Sequence, residues 1–185
     1  VCAAVMGRKR LGRIASYAGE VRALGDWTKY LFALSKQRTE NLFNIVDIYV
    51  GIGNAGHVPV ECGLAVDNRS YDKALKLLKD NGYKGEGKLV AFQMGANRLH
   101  RAWPADKFAL LADELSKDFP VEILLLGTAE ESVLADEFCR ITDTPVINLI
   151  GSTTIPDLPA ALKHCDLLIS HDTGTIHIAA AVGTK

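Results

Sequence analysis

Residues 166–183 read DLLISHDTGTIHIAAAVG. Asp166–Ser170 is a short aliphatic run, the pattern of a strand buried on both faces and hence of a parallel sheet covered by helices. Thr175–Val182 carries three successive alanines, the strongest helix formers, and stops at Gly183, a residue that ends helices in the left-handed conformation. His171, Asp172, Thr173 and Gly174 lie between. A strand that turns directly into a helix is half of a βαβ unit. In open α/β sheets, ligands bind at such turns, beyond the carboxyl ends of the strands.

The same alternation extends back to residue 88. Lys88–Gln93 (KLVAFQ), Val121–Leu126 (VEILLL) and Pro145–Ile150 (PVINLI) read as strands. Ala105–Lys117 places Phe108, Leu111, Ala112 and Leu115 three and four apart, a helical stripe. Ala129–Ile141 and Ile155–Cys165 also read as helices, the latter opened by Pro156 in its first turn. Four strand–helix alternations predict a Rossmann-like parallel sheet with helices on both faces. The first half is less regular. Residues 13–17 and 20–24 read as strands, and 39–50 and 71–81 as helices. The stretch GYKGEG at 82–87 reads as a linker. The expected division is a partial N-terminal α/β domain over 1–85 and a nucleotide-binding domain over 86–185. The opening VCAAVMGRKR, apolar then basic, reads as the tail of a helix rather than a signal peptide. A doubly wound sheet would continue past Lys185, so the chain is expected to be incomplete at both ends.

Composition bounds the function. In 185 residues, 48% are hydrophobic and 23% charged, which fits a folded globular chain. The net charge of -1 offers no basic surface for nucleic acid. No apolar run reaches the ~18 residues of a membrane span. Cys2, Cys62, Cys139 and Cys165 are scattered and form no CxxC pair, so they read as reduced structural thiols rather than zinc ligands or a disulfide framework.

Two motifs mislead. Gly51-Ile-Gly53-Asn-Ala-Gly56 spells the dinucleotide fingerprint, but the segment before it reads as a helix and Pro59 follows. The fingerprint requires a strand before and a helix after. Asp172-Thr173-Gly174 also marks aspartic proteases. Those need a second such triplet in an all-β fold, and this chain has neither.

In an α/β setting the same triplet has another use. A helix N-terminus exposes unpaired N–H groups and partial positive charge. Gly174 admits a bulky anion close to the backbone. Thr173 and Thr175 add hydroxyls, Asp172 can accept from a sugar hydroxyl, and His177 lies about one turn in. Together they read as a diphosphate cradle. Read alone, the triplet is more simply an N-cap, with His177 a packing residue. The other strand ends favour the cradle. Gly95, Ala96 and Asn97 follow the first strand, and Arg101 offers a fork suited to phosphate oxygens. Glu130 or Glu131, after the second strand, either accepts from ribose or favours the helix start. The loop with Thr153, after the third, either meets the base or caps a helix.

The series FQMGANRLHRAWP, LLGTAEE, NLIGSTT and SHDTGTIHIAAAVGT resembles, in order and spacing, the motifs of glycosyltransferase family nine, the bacterial ADP-heptose heptosyltransferases of lipopolysaccharide core assembly. The likeness covers about 88–185, and 38–82 more loosely. It implies the GT-B architecture, in which two Rossmann-like domains face a cleft. The C-terminal one takes the nucleotide-sugar donor and the N-terminal one a lipid-linked acceptor. It also implies an inverting, metal-independent, cytoplasmic enzyme without a cofactor and with at most peripheral membrane contact. The chain has no Asp-x-Asp metal motif. Carried over by position, the nucleotide-sugar site comprises Gly95, Ala96, Asn97, Arg101, Glu130, Thr153, Asp172, Thr173, Gly174 and His177. Arg101 and Asp172 serve the leaving group, with Arg101 standing where the family usually has Lys. The family's general base, a carboxylate near the start of the N-terminal domain, falls outside this chain. The chain alone is therefore expected to bind nucleotide weakly and turn over poorly. The alternatives are another GT-B-like nucleotide-sugar enzyme such as an epimerase, a non-catalytic nucleotide-binding module and, on Gly51–Gly56 alone, a dinucleotide oxidoreductase.

Overall fold

The computed structural model describes residues 12–15, 21–34, 43, 45–54, 63–96 and 102–185. The chain forms two compact units, Val1–Glu61 and Cys62–Lys185.

In the first unit, β1 (Gly12–Ala15) and β2 (Val21–Leu24) pair antiparallel, with Gly12 opposite Leu24. Two helices follow, α1 (Asp26–Leu34) and α2 (Ile45–Gly53). Helix α1 was not foreseen, although Trp27, Tyr30, Leu31 and Leu34 recur at helical spacing. The helix expected over 39–50 begins at Ile45 and runs on to Gly53. Residues 39–42 and 44 lie outside the described residues. A Cβ at Gly51 would strike the Trp27 ring, so the close approach of α1 and α2 requires glycine there. The Trp27 ring also meets Phe43 edge-on at 5.1 Å. Gly51 and Gly53 thus close a helix that packs under an indole. The strand-to-helix turn of a dinucleotide site is absent at both. Gly56 lies outside the described residues.

The second unit is built on a parallel sheet of β3 (Lys88–Gln93), β4 (Val121–Leu126), β5 (Val146–Asn148) and β6 (Leu167–Ser170), in the order β5-β4-β3-β6. The order reverses between β3, β4 and β5 on one side and β6 on the other, so β3 and β6 flank the switch point where α/β sheets bind ligands. Helices α4 (Ala105–Asp118) and α5 (Ser132–Ile141) pack on one face around Phe92, Phe108, Ile123, Leu125 and Phe138. Helices α3 (Asn68–Asp80), α6 (Leu158–Lys163) and α7 (Gly174–Val182) accompany a second cluster of Leu78, Leu89, Leu124, Leu126, Ile147 and Leu162. Every residue of β4 is buried, as the VEILLL run implies. Gly183 ends α7 at φ 88°, a conformation costly for any residue with a Cβ. Beyond it, the Lys185 carbonyl accepts from the Leu168 amide of β6 at 2.8 Å.

The contact division at Cys62 differs from the expected boundary at 82–87. Helix α3 belongs with the sheet: Lys73 meets Asp157 at 2.9 Å, and Tyr71 stacks on His164 at 3.8 Å. The supposed linker is a held turn. Glu122, buried within β4, accepts from the amides of Lys84 and Gly85 at 2.8 Å and of Glu86 at 3.1 Å. Sequence patterning counts glycines and charges as freedom and cannot see a carboxylate 36 residues downstream gathering them. Helix α3 starts at Asn68 rather than 71 because Asp67 caps it, accepting from the Ser70 amide at 3.0 Å. Helix α6 starts at Leu158 rather than 155 because Asp157 turns back to the Thr154 amide at 3.1 Å and hydroxyl at 2.6 Å. That leaves 154–157 as a turn, and Pro159 rather than Pro156 stands in the first helical turn. β5 stops at Asn148, two residues short of the reading, because its side chain takes the Ile150 amide and starts a turn.

Cys165 is buried against the Ala161 carbonyl, and burial pushes its thiol up to about 12, so it is an unreactive core residue. Cys139 is exposed, and Cys2 and Cys62 lie outside the described residues.

Replacing Glu122 by Ala strands three amides that now share one buried carboxylate. A hydrogen bond to a charged group is worth about 1.5–3 kcal/mol, and an unpaired buried donor costs a similar amount. Glu122→Ala is expected to lower unfolding free energy by about 2–3 kcal/mol in a denaturant titration, with amide exchange at 84–86 accelerated most.

Candidate functional site

The carboxyl ends of the four strands meet at a cleft of about 490 Å³. Gln93, Gly95 and Ala96 line it from the end of β3, and Gly127, Thr128, Glu130 and Glu131 from the end of β4. Thr153, Thr154, Ile155 and Leu158 follow β5, and Thr173 and Thr175 open α7. Four separate crossovers thus contribute to one concavity.

A polar relay sets its floor. Gln93 is the last residue of β3, in register with Leu126 and Ser170, and it is buried. Its amide donates to Glu131 Oε2 at 3.3 Å, and its carbonyl accepts from the Thr175 hydroxyl at 3.4 Å. Glu131 Oε2 also accepts from the Thr128 amide at 3.0 Å, closing a capping box at the 3-10 turn Ala129–Glu131. The Glu131 carboxylate lies so close to Gly95 and Gly127 that a Cβ on either would overlap it. A side chain at either position would therefore have to displace that carboxylate from its hydrogen bonds to Gln93 and Thr128. Sequence reading offered Glu130 and Glu131 together. The structure separates them, with Glu131 engaged in the floor and Glu130 exposed on the wall. Gln93 went unnoticed as a site residue. Its signal was a polar side chain closing a buried strand.

The turn into α7 is held differently from an ordinary cap. Thr173 is the N-cap residue, yet its hydroxyl makes no bond to the helix and meets Ser170 Oγ at 3.1 Å instead. Ser170 Oγ donates to the His171 carbonyl at 2.9 Å, so the shared proton comes from Thr173. With the Thr175 proton on Gln93, both threonine hydroxyls are directed to protein acceptors. What α7 leaves for an incoming anion is its backbone N–H groups and the positive end of its dipole. A Cβ built on Gly174 meets no atom of the described residues within 4 Å, and its φ is unexceptional. Among those residues, neither packing nor backbone conformation calls for glycine at 174.

The site residues drawn from the sequence distribute as follows. Gly95, Ala96, Glu130, Thr153 and Thr173 share the cleft wall. Asp172, Gly174 and His177 are exposed at the same turn and in the first turn of α7, off that wall. Asn97 and Arg101 lie outside the described residues. The loop bearing Thr153 is anchored by Asp157. Hydrogen bonds from the Thr154 hydroxyl, from Lys73 and from the Thr154 amide hold the Asp157 carboxyl down to about 2. Among the described residues, no cluster of His, Cys, Asp and Glu is placed to hold a metal ion.

Comparison with known proteins gives concordant results. The family model for glycosyltransferase family 9 (heptosyltransferase) matches residues 4–185. Lipopolysaccharide heptosyltransferase 3 of Escherichia coli K12 is 35% identical over 97 residues, covering 51% of this chain and 28% of that protein. Among solved structures, a glycosyl transferase family 9 protein from Veillonella parvula superimposes with a TM-score of 0.68 at 21% identity, over 78% of this chain and 42% of its own. E. coli ADP-heptose lps heptosyltransferase II does so with a TM-score of 0.63 at 18% identity, over 84% and 56%. The chain spans well under two thirds of each of these relatives. Their shared architecture is the parallel sheet flanked by helices of the GT-B fold.

Two outcomes follow from the site's own bonding. Adding a methyl group at Gly95 forces the Glu131 carboxylate out of its slot. Gly95→Ala is expected to cost about 1–3 kcal/mol, the range for overpacking, and Glu131→Ala in the same chain to recover much of it in a double-mutant cycle. Asp157 has a folded-state pKa below its ordinary 3.8, so its contribution is complete above 3.8 and is lost as pH falls toward and through about 2. The stability difference between wild type and Asp157→Asn, measured from pH 5 to pH 2, is expected to shrink across that window and stay flat above it.

Proposed function

The chain belongs to glycosyltransferase family 9, and we propose that its second unit holds the donor of a sugar transfer, with the diphosphate of an ADP-activated heptose or related sugar seated on the α7 N-terminus. The observation that carries this is Gly174. Among the described residues nothing crowds it, and it stands at a helix start whose cap hydroxyl is turned away, beside a cleft at the sheet's switch point. Backbone amides and a helix dipole are a ready anion site, and they face charge that builds on the diphosphate as the sugar departs.

In this reading Arg101 adds a fixed cation to the leaving group, the task that a divalent ion performs in other sugar transfers, so transfer proceeds without metal. Glu130 accepts from ribose hydroxyls, the loop with Thr153 meets the base, and Asp172 and His177 reach the sugar and its phosphate from the exposed side of the turn. The stereochemistry is inverting, with a general base taking the proton of the acceptor hydroxyl. The relatives' names, lipopolysaccharide heptosyltransferase and ADP-heptose lps heptosyltransferase, support a lipopolysaccharide-core type acceptor. No helix among the described residues is long and apolar enough to cross a membrane. A lipid-linked acceptor calls for a peripheral contact of the acceptor side with the cytoplasmic face of the membrane.

Titration with ADP, UDP, GDP and NAD tests the donor assignment. ADP is expected to bind most tightly, and tighter NAD binding would overturn the reading. Gly174→Ala places a methyl group in open space, so the melting temperature should hold or rise slightly while ADP affinity falls about tenfold or more, the loss of one charge-assisted contact. Unchanged affinity in a folded Gly174→Ala chain would remove the diphosphate from this turn.

A further inference from the structure

His171 lies one residue before the diphosphate turn and has been given no role above. Its Nε2 lies 2.7 Å from the Trp103 amide nitrogen, which can only donate, so Nε2 accepts. Its Nδ1 lies 3.2 Å from the Gly95 carbonyl oxygen, which can only accept, so Nδ1 carries the proton. The two bonds fix one neutral tautomer and use both ring nitrogens. The ring is half-buried, edge-on to Phe108 at 5.6 Å, and the Trp103 ring meets the same Phe108 at 4.9 Å. Gly95 is where the chain leaves β3, and Trp103 is where it approaches α4. One imidazole, mounted on the strand end that leads into Asp172 and Thr173, thus sets the distance between two points on another crossover.

We infer that His171 is a positioning residue for the donor site, whose neutral imidazole clamps Gly95 and Trp103 to the α7 turn and so fixes the cleft wall at Gly95 and Ala96 against Thr173. This rests on the donor reading of that cleft, but the clamp itself can be tested without a nucleotide. The two bonds need an acceptor and a donor about one imidazole width apart on a neutral group. A glutamine amide offers that pair, and a phenylalanine ring keeps only the contact with Phe108.

The test uses the 185-residue chain in three forms: wild type, His171→Phe and His171→Gln. Hydrogen exchange at the Trp103 amide and ADP affinity are read in each, with exchange in β4 as the control for global stability. In His171→Phe, Trp103 exchange should rise at least about tenfold while β4 is unchanged, ADP affinity should fall by about tenfold, and Gln should restore both. Equal Trp103 exchange in wild type and His171→Phe would overturn the clamp, whatever the nucleotide does. Released Trp103 with undiminished ADP affinity would overturn its bearing on the donor site. If wild type fails to bind ADP while Trp103 is still released, the donor reading falls and the clamp stands. Should His171→Phe not fold, the ¹⁵N shifts of the wild-type imidazole decide. A protonated Nδ1 with a bare Nε2 supports the clamp, and the opposite or an averaged tautomer overturns it.

Discussion

Gln93 is the physical centre of this unit. A parallel sheet delivers its strands' carboxyl ends to one edge, where unpaired backbone groups and polar side chains must find partners away from bulk water. Here a single buried amide does much of that pairing. It donates toward the β4 crossover through Glu131 and accepts from α7 through Thr175. The floor of the cleft is therefore satisfied internally, and the hydroxyls of Thr173 and Thr175 and the carboxylate of Glu131 are already engaged. The groups the cleft leaves open are chiefly the amides at the start of α7 and the exposed Glu130.

This division of labour explains why the glycines differ in meaning. Gly95 and Gly127 resemble the small residues of a phosphate loop, yet the Glu131 carboxylate occupies the space beside both. Gly174 has the same appearance in the sequence and no such neighbour among the described residues. Only coordinates separate a glycine that makes room for its own protein from one that leaves room for something else.

Much of the second unit was legible beforehand because its signals are local. Buried aliphatic runs, helical stripes and the Gly183 stop each depend on residues within a turn or two, and all four strands and the helices between them follow. Misjudged features depended on partners far along the chain. Glu122 converts the 82–87 stretch from connector to clasp, Asp157 withholds three residues from α6, and Asp67 lends three to α3. For the site, strand-end position was a good guide to which loops converge. It could not sort Glu130 from Glu131, or reveal that Gln93 and His171 bind the loops to one another. Those are side-chain contacts across crossovers, which periodicity does not encode.

The clasp at Glu122 has a mechanical consequence. Glycine-rich stretches between helices and strands are natural pivots, because they absorb large backbone rotations at little cost. With three consecutive amides held by a buried carboxylate, the segment joining α3 to β3 has lost the torsional slack a pivot requires. Helix α3 is thereby coupled to the parallel sheet as ballast. The two move as one body.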